Sequence, residues 1–342
     1  MRQVRLKGFG NPPDVVDVVE LPDLKVAASD DVLVRVQMAP VGPADLGTFW
    51  GRYPRQNSES PVPGIEAIGF VEDLGAEVDD LKVGDRVLVL PVDAWSEQLL
   101  LKRRQVVRVS NDGDILQQFT LKSNGATAAL LLSSIVDLKP GDWIAQNAAN
   151  STVGQYIVQI ARARGIRTIN IVRNQTAADL VHRLGGDVVV IDGPALFDEI
   201  RSSAGNAAVR LAIDCVSGEA STNMADILAE RGTLVVYGGL SGQPTQVRPL
   251  QLITKDIAIR GFWVTRWLRE TPHEEVQRLI DDIDGMASSG ALVTEIASLH
   301  QLSDIQAALR NAAAGGRNGK VVLDFREERQ ASGNSTTTED RQ

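Results

Sequence analysis

The chain has 342 residues, 43% of them apolar, with 44 acidic against 35 basic side chains and a formal net charge of −9. Such a length exceeds the roughly 100–200 residues usual for one domain, so two domains are expected, and the acidic balance excludes nucleic acid or an anionic membrane surface as the main partner. One cysteine, Cys215, and three dispersed histidines, His182, His273 and His300, allow neither a disulfide framework nor a thiolate zinc cluster within the chain.

The first ten residues, MRQVRLKGFG, lack the apolar core of a signal peptide, and no run approaches the roughly 18 apolar residues of a membrane span. A soluble, cytoplasmic protein is the expectation. Up to about residue 118 the pattern is β-type: DVLVRVQMAP (31–40), IGFVEDLG (68–75) and DRVLVL (85–90) are short β-branched runs, punctuated by turns such as Val83-Gly84-Asp85. Helical periodicity is scarce there, which predicts a small barrel or sandwich.

From about 119 strands and helices alternate. The segment 121–142 carries a helix expected to end near Lys139-Pro140-Gly141. Strand-like runs follow at 143–147, 168–172, 187–191, 209–215, 233–237 and 257–262, with helix-like segments at 153–164, 176–185, 195–203 and 219–230. The alternation implies a parallel sheet covered on both faces, and six strands match a doubly wound, dinucleotide-binding sheet. After 270 the chain is helical again (HEEVQRLIDDIDGMA) and then reaches a last strand, KVVLDF (320–325). Its end, 326–342, is polar and reads as a disordered tail.

The turn after the first strand of that sheet is QNAANSTVGQ (146–155), with a single glycine, Gly154. A phosphate needs backbone N–H groups and the positive end of a helix dipole, and glycines only where a Cβ would obstruct. Asn150 and Ser151 tolerate turn conformations, Gly154 lies at the helix start, and Thr152 is the strained position. An ordinary βα turn is the other reading of this loop. The second strand, TINIVRNQ (168–175), ends at Arg173 where an NAD-binding sheet offers a carboxylate to the ribose. A guanidinium there suits a 2′-phosphate, so NADPH is inferred; the alternative is a plain exposed arginine.

QNAANSTVGQ and RTINIVRN resemble the cofactor segment of the mitochondrial-type 2-enoyl thioester reductases, zinc-free and quinone oxidoreductase-like members of the medium-chain dehydrogenase/reductase superfamily. GPADLGTFWGRYP (42–54), DCVSG (214–218), LVVYGGLSGQP (234–244) and IRGFWVTRW (259–267) recur in the same order. The resemblance covers about residues 1–325. It implies an α/β protein with a GroES-like β-rich catalytic domain (1–118 and 296–325) and a six-stranded Rossmann domain (119–295).

It also implies hydride transfer from NADPH to the β-carbon of a trans-2-enoyl thioester, the α-carbon taking a proton, with the acyl group carried on coenzyme A or an acyl carrier protein. By position the cofactor falls on Asn147, Asn150, Ser151, Thr152, Val153, Gly154, Arg173, Tyr237, Gly238, Gly239, Phe262, Trp263, Val264 and Lys320, and the active-site tyrosine on Tyr53. Two departures stand out. Gln175 replaces a second basic residue, and Gly42-Pro43-Ala44-Asp45-Leu46-Gly47 replaces a more polar Asn-Pro-Ser-Asp-x-Asn run.

The chemistry favours Tyr53. Hydride addition to the thioester builds charge on its carbonyl oxygen, and one well-placed donor lowers that barrier by about 3 kcal/mol. Tyr53 can alternatively be a half-exposed loop aromatic. Zinc-dependent relatives carry Gly-His-Glu where this chain has Gly64-Ile65-Glu66, so no catalytic metal is expected and Glu66 reads as a buried structural carboxylate. Phe262 and Trp263 either wall the nicotinamide pocket or pack the core. Cys215 reads as a buried strand residue, and Arg52, Arg55 and Arg266 either meet substrate phosphates or face solvent. Two other functions remain: a quinone or small-enone reductase of the same architecture, and an NADPH-binding protein without turnover. Apolar edge strands near 257–262 suggest a homodimer.

Overall fold

The computed structural model describes residues 1–53, 62–90, 93–314 and 319–326. Six strands form one parallel sheet in the spatial order Val188–Ile191, Arg167–Val172, Trp143–Gln146, Val209–Asp214, Leu228–Val236 and Ala258–Gly261. In chain order within the sheet this is 3-2-1-4-5-6. The order reverses between Trp143–Gln146 and Val209–Asp214, and ligands of such sheets bind beyond the C-terminal strand ends at that reversal. The inner strands are rich in Ile, Leu, Val and Ala because both faces are covered: Ile144, Ala145, Ile169, Leu211, Ala212, Ile213 and Leu234 are wholly buried. Four of the covering helices, Thr152–Ala163, Gln175–Leu184, Leu196–Ala204 and Glu219–Ile227, lie within three residues of the expected segments.

The second sheet has seven strands. Asp31–Val41 is its axis, pairing antiparallel with Ala67–Leu74, Gln98–Lys102 and Lys320–Asp324. Lys320–Asp324 comes from the far end of the chain, and Ile296–Gln301 pairs parallel beside it. In this register Val321 faces Val41, which brings Lys320 to the level of Gly42. Arg2–Leu6 and Val16–Glu20 make a separate two-stranded ribbon.

Three expectations need correction. The helix expected to run to Lys139 winds one wide turn over Leu121–Gly125, continues as Ala126–Leu131, and stops there. The hydroxyls of Ser133 and Ser134 donate to the carbonyls of Ala129 and Leu130 at 2.8 and 2.7 Å, a local alternative to continuing the helical ladder. The β-type first third also contains a helix, Pro43–Phe49, which carries the chain towards Tyr53. Finally, the backbone strain sits on Ala148 (φ 48°) rather than Thr152, which is simply the first residue of its helix. The polar end of the chain from 327, expected to be disordered, lies outside the described residues, as do Pro54 and Arg55.

Candidate active site

The loop after Trp143–Gln146 is held from three sides. Ser151 caps Thr152–Ala163, its hydroxyl accepting from the Gly154 N–H at 3.2 Å. The amides of Thr152 and Val153 then head the helix with no carbonyl one turn before them, the arrangement an anionic phosphate takes. Gly154 is required for space. A Cβ there would lie 2.6 Å from the Ala149 carbonyl oxygen. Gln155 Nε2 fastens the Asn150 carbonyl at 2.9 Å, and the Ala149 N–H donates to Ile171 O at 3.3 Å. The last bond docks the loop against the second strand, two residues before Arg173. That side chain is exposed and, among the described residues, makes no ion pair. Gln175, the departure beyond it, donates to Asp179 at 2.8 Å.

Asn147 is engaged internally. Its Nδ2 donates to Asp214 Oδ1 at 2.7 Å and its Oδ1 accepts from the Cys215 N–H at 2.8 Å. Buried Asp214 also takes the amides of Val216 and Ser217, at 2.8 and 3.0 Å, so it organises the turn after the fourth strand. Nothing in the sequence marked it beyond the DCVSG run. The Tyr237 hydroxyl lies near Ser151 and Cys215, and burial pushes its pKa well above the ordinary value. Burial likewise raises the Cys215 thiol to about 11, so this cysteine is protonated and inert; it is buried as expected, but it lies in the turn just after the strand Val209–Asp214 and not in the strand. At Gly238 a Cβ would meet Cys215 Sγ at 2.8 Å, whereas Gly239 has room around it.

Phe262 and Val264 are half-buried, and Phe262 packs against the core shared with Tyr156 and Ile213. Between them Trp263 reaches across to the other sheet: its Nε1 donates to the Tyr53 hydroxyl oxygen at 2.8 Å. The Thr265 side chain lies beside the same oxygen. An indole N–H can only donate, so Tyr53 accepts here and its own proton is left to be given to a third group. Burial raises the Tyr53 pKa, which keeps the phenol protonated at neutral pH. Its backbone is fixed as well, since Gly47 O accepts the N–H of Arg52 and Tyr53 at 2.8 and 3.0 Å. Arg52 itself lies over the Trp50 ring, 5.7 Å from its centre, and Arg266 is exposed.

Beneath Tyr53 are four buried charged groups that sequence reasoning did not assemble. The Asp45 carboxylate accepts from the amides of Gly42 (2.8 Å) and Ile65 (2.9 Å), and desolvation raises its pKa to about 6. Glu66 accepts from the Ser123 N–H at 2.7 Å and from the Ser123 hydroxyl, and it too is raised by burial. Lys122 Nζ donates to Ile65 O at 2.6 Å. Lys320, expected at the cofactor, faces Asp45 and Glu66, and a Cβ on Gly42 would lie 3.4 Å from its ammonium nitrogen. Asp45 and Glu66 stand in quoted motifs, whereas Lys122 carries no local signal at all.

Known proteins fit this geometry. An enoyl-[acyl-carrier-protein] reductase, mitochondrial, from Dictyostelium discoideum is 34% identical over 334 residues, 95% of both chains. The chain belongs to this reductase family. Residues 28–129 match the model of the alcohol dehydrogenase GroES-like domain and residues 152–284 that of the zinc-binding dehydrogenases. Among solved structures, a candidate NADPH:quinone reductase from Bacillus thuringiensis superposes with a TM-score of 0.86 at 26% identity, covering 94% of this chain and 98% of its own. The 2-enoyl thioester reductase Etr1p of Candida tropicalis does so with a TM-score of 0.82 at 25% identity, covering 95% and 99%. It is known as a heterodimer with Etr2p and in complex with NADP and crotonyl-CoA.

The zinc named for one of these models does not fit here. Ile65 offers no ligand atom, both Glu66 oxygens are engaged by Ser123, and the Lys122 ammonium faces that carboxylate, where it would repel a dication. No helix among the described residues is long and apolar enough to cross a membrane.

Proposed function

We propose that this chain reduces the C2=C3 bond of trans-2-enoyl thioesters with NADPH, Tyr53 acting as the catalytic residue. The observation that carries this reading is the Trp263–Tyr53 hydrogen bond, with Thr265 beside it. The indole donor on the phenol oxygen polarises its O–H, and the phenol proton is available to the thioester carbonyl oxygen as charge develops there. Such preorganised donation contributes about 3 kcal/mol to the barrier reduction. Phe262 and Trp263 close the site with apolar rings that exclude water.

Bound NADPH supplies the hydride that adds to the β-carbon. The residues assigned to hold it are Asn147 and Asn150, Ser151, Thr152, Val153 and Gly154 at the helix head, Arg173, Tyr237-Gly238-Gly239, Phe262-Trp263-Val264, and Lys320. The fit is good at three points. Gly154 and Gly238 clear the backbone where a Cβ would collide, the helix head presents amides to the pyrophosphate, and exposed Arg173 suits a 2′-phosphate. Asn147 acts by holding Asp214 and the Cys215 amide.

The likeness to an Etr1p complex with NADP and crotonyl-CoA supports an acyl-CoA substrate, and the relatives' names support an acyl carrier protein as the other carrier. The test is turnover of crotonyl-CoA with deuterated NADPH. Deuterium at C3 of butyryl-CoA is expected, and no labelled product, or faster turnover of a naphthoquinone, would sink the proposal. The quinone alternative draws on the Bacillus thuringiensis likeness and on the less polar Gly42-to-Gly47 run.

We also retain the division into 1–118 with 296–325, 119–295 and a 326–342 tail, the first two supported by the membership of the two sheets. A homodimer is supported by Ala258–Gly261, an edge strand exposed along its length with Ile259 outward; a monomeric mass in light scattering would remove it. Cytoplasmic residence rests on the single cysteine and the acidic composition, whereas the relatives are named mitochondrial. Cell fractionation decides between the two.

A further inference from the structure

Lys122 is almost fully buried, at 1% exposure, on the wide helical turn Leu121–Gly125. A buried ammonium is costly unless opposite charge and hydrogen-bond acceptors meet it. Here Ile65 O accepts at 2.6 Å, and Glu66 and Asp45 supply the charge. Lys320 faces the same two carboxylates from the C-terminal strand, so two cations and two anions balance in the interior.

The arrangement clamps one residue from both sides. The Ile65 N–H goes to Asp45 Oδ1 and its C=O to Lys122 Nζ, at 2.9 and 2.6 Å. Asp45 then fixes Gly42 at the head of Pro43–Phe49, and that helix presents Gly47 O to the Tyr53 amide at 3.0 Å. A Cβ on Gly47 would touch Tyr53 Cβ at 3.0 Å, so the tyrosine lies directly on the helix backbone. The path from ammonium to phenol is therefore short: Lys122, Ile65, Asp45, the helix, Tyr53.

We propose that Lys122 is a positioning residue for Tyr53, its internal ammonium clamping the Ile65 peptide and, with Lys320, balancing the carboxylates of Asp45 and Glu66. Lys122 occupies the cationic place in a site that zinc does not fit. The titratable groups facing this cluster are Tyr53, through Asp45, and Tyr156, through Glu66. Removing Lys122 leaves an excess buried negative charge, which the protein relieves by protonating a carboxyl. A protonated Asp45 holds two amides less well, and Tyr53 drifts. The inference rests on the reductase reading for its kinetic test only.

The test compares Lys122→Met with the double variant Lys122→Met/Glu66→Gln, which removes one positive and one negative charge together. With crotonyl-CoA and saturating NADPH, the single variant is expected to lose about tenfold or more in kcat, as misplaced catalytic groups do, with its NADPH KM nearly unchanged. The acid limb of its kcat–pH profile moves up by about one unit, and the double variant recovers both features in part. A single variant with wild-type kcat and acid limb overturns the proposal, as does a double variant no better than the single.

Thermal unfolding decides without turnover, including where the single variant folds poorly. The double variant must melt above the single one at pH 8, and equal or lower midpoints overturn the proposal. Absent turnover by the wild type would count against the reductase reading alone, and the melting midpoints would still judge Lys122.

Discussion

The two sheets build their parts of the site in opposite ways. The parallel sheet forms the proposed cofactor cradle mostly from backbone: helix-head amides, the Gly154 and Gly238 clearances, and a loop pinned by Ala149 N–H to Ile171 O. The mixed-sheet side builds its part from side chains of residues 45, 53, 66 and 320, which meet Lys122, from the helical turn Leu121–Gly125, only in the fold. Backbone cradles tolerate sequence change wherever a Cβ fits, so this loop works with one glycine. A buried charge cluster depends on every member, because each unpaired charge is expensive.

Substitutions can break this contrast. Within the cradle the largest effect is expected at Gly154, the tighter of its two glycine clearances. Gly154→Ala places a Cβ 2.6 Å from a backbone oxygen that cannot swing away, so the loop shifts and NADPH affinity falls about a hundredfold, measured by fluorescence titration. Exposed Arg173 comes next. Arg173→Ala removes a charge-assisted contact of about 1.5–3 kcal/mol, so the NADPH KM rises roughly 10–100-fold while the NADH KM stays put. Equal losses for both cofactors would take Arg173 out of the site.

The third effect is smaller and separates activity from stability. Asp45, raised to about 6 by burial, protonates as pH falls through that value, so kcat should decline below about pH 6 as its grip on Gly42 and Ile65 loosens. Stability should move the other way. A carboxyl whose folded pKa lies above its unfolded value of 3.8 binds protons more tightly when folded, so its contribution is complete below about pH 3.8 and lost as pH rises through about 6. Between those values, Asp45→Ala should flatten that part of the melting-temperature profile. An unaltered profile would show that Asp45 is not its source.

The same contrast explains what was legible in the sequence. Runs such as Trp143–Gln146 and Arg167–Val172 stood out because strands buried on both faces must be continuously apolar, and the strand–helix alternation then fixes a parallel order. Tyr53 was legible through the motif around it. The helix after 121 was overextended because Ser133 and Ser134 compete for backbone carbonyls, a choice that composition alone does not display. Thr152 reads in the sequence as the strained position, yet the positive φ falls on Ala148, next to the residue whose N–H docks on the second strand. Lys122 carries no signal: a lone lysine between Leu121 and Ser123 reads as solvent-facing until Glu66 and Ile65 arrive from 56 and 57 residues away. The family resemblance places Lys320 at the cofactor, whereas the register of Val321 against Val41 brings it to its carboxylate neighbours.

The central claim is that the Tyr53 hydroxyl, held by Trp263, donates to the thioester oxygen during reduction. It is tested most directly by kcat for crotonyl-CoA in Tyr53→Phe, which deletes one oxygen and keeps the ring. Loss of one such donor predicts a drop of about 10²–10³-fold with NADPH binding unchanged. A kcat within about threefold of wild type, roughly 0.7 kcal/mol of barrier, would contradict it.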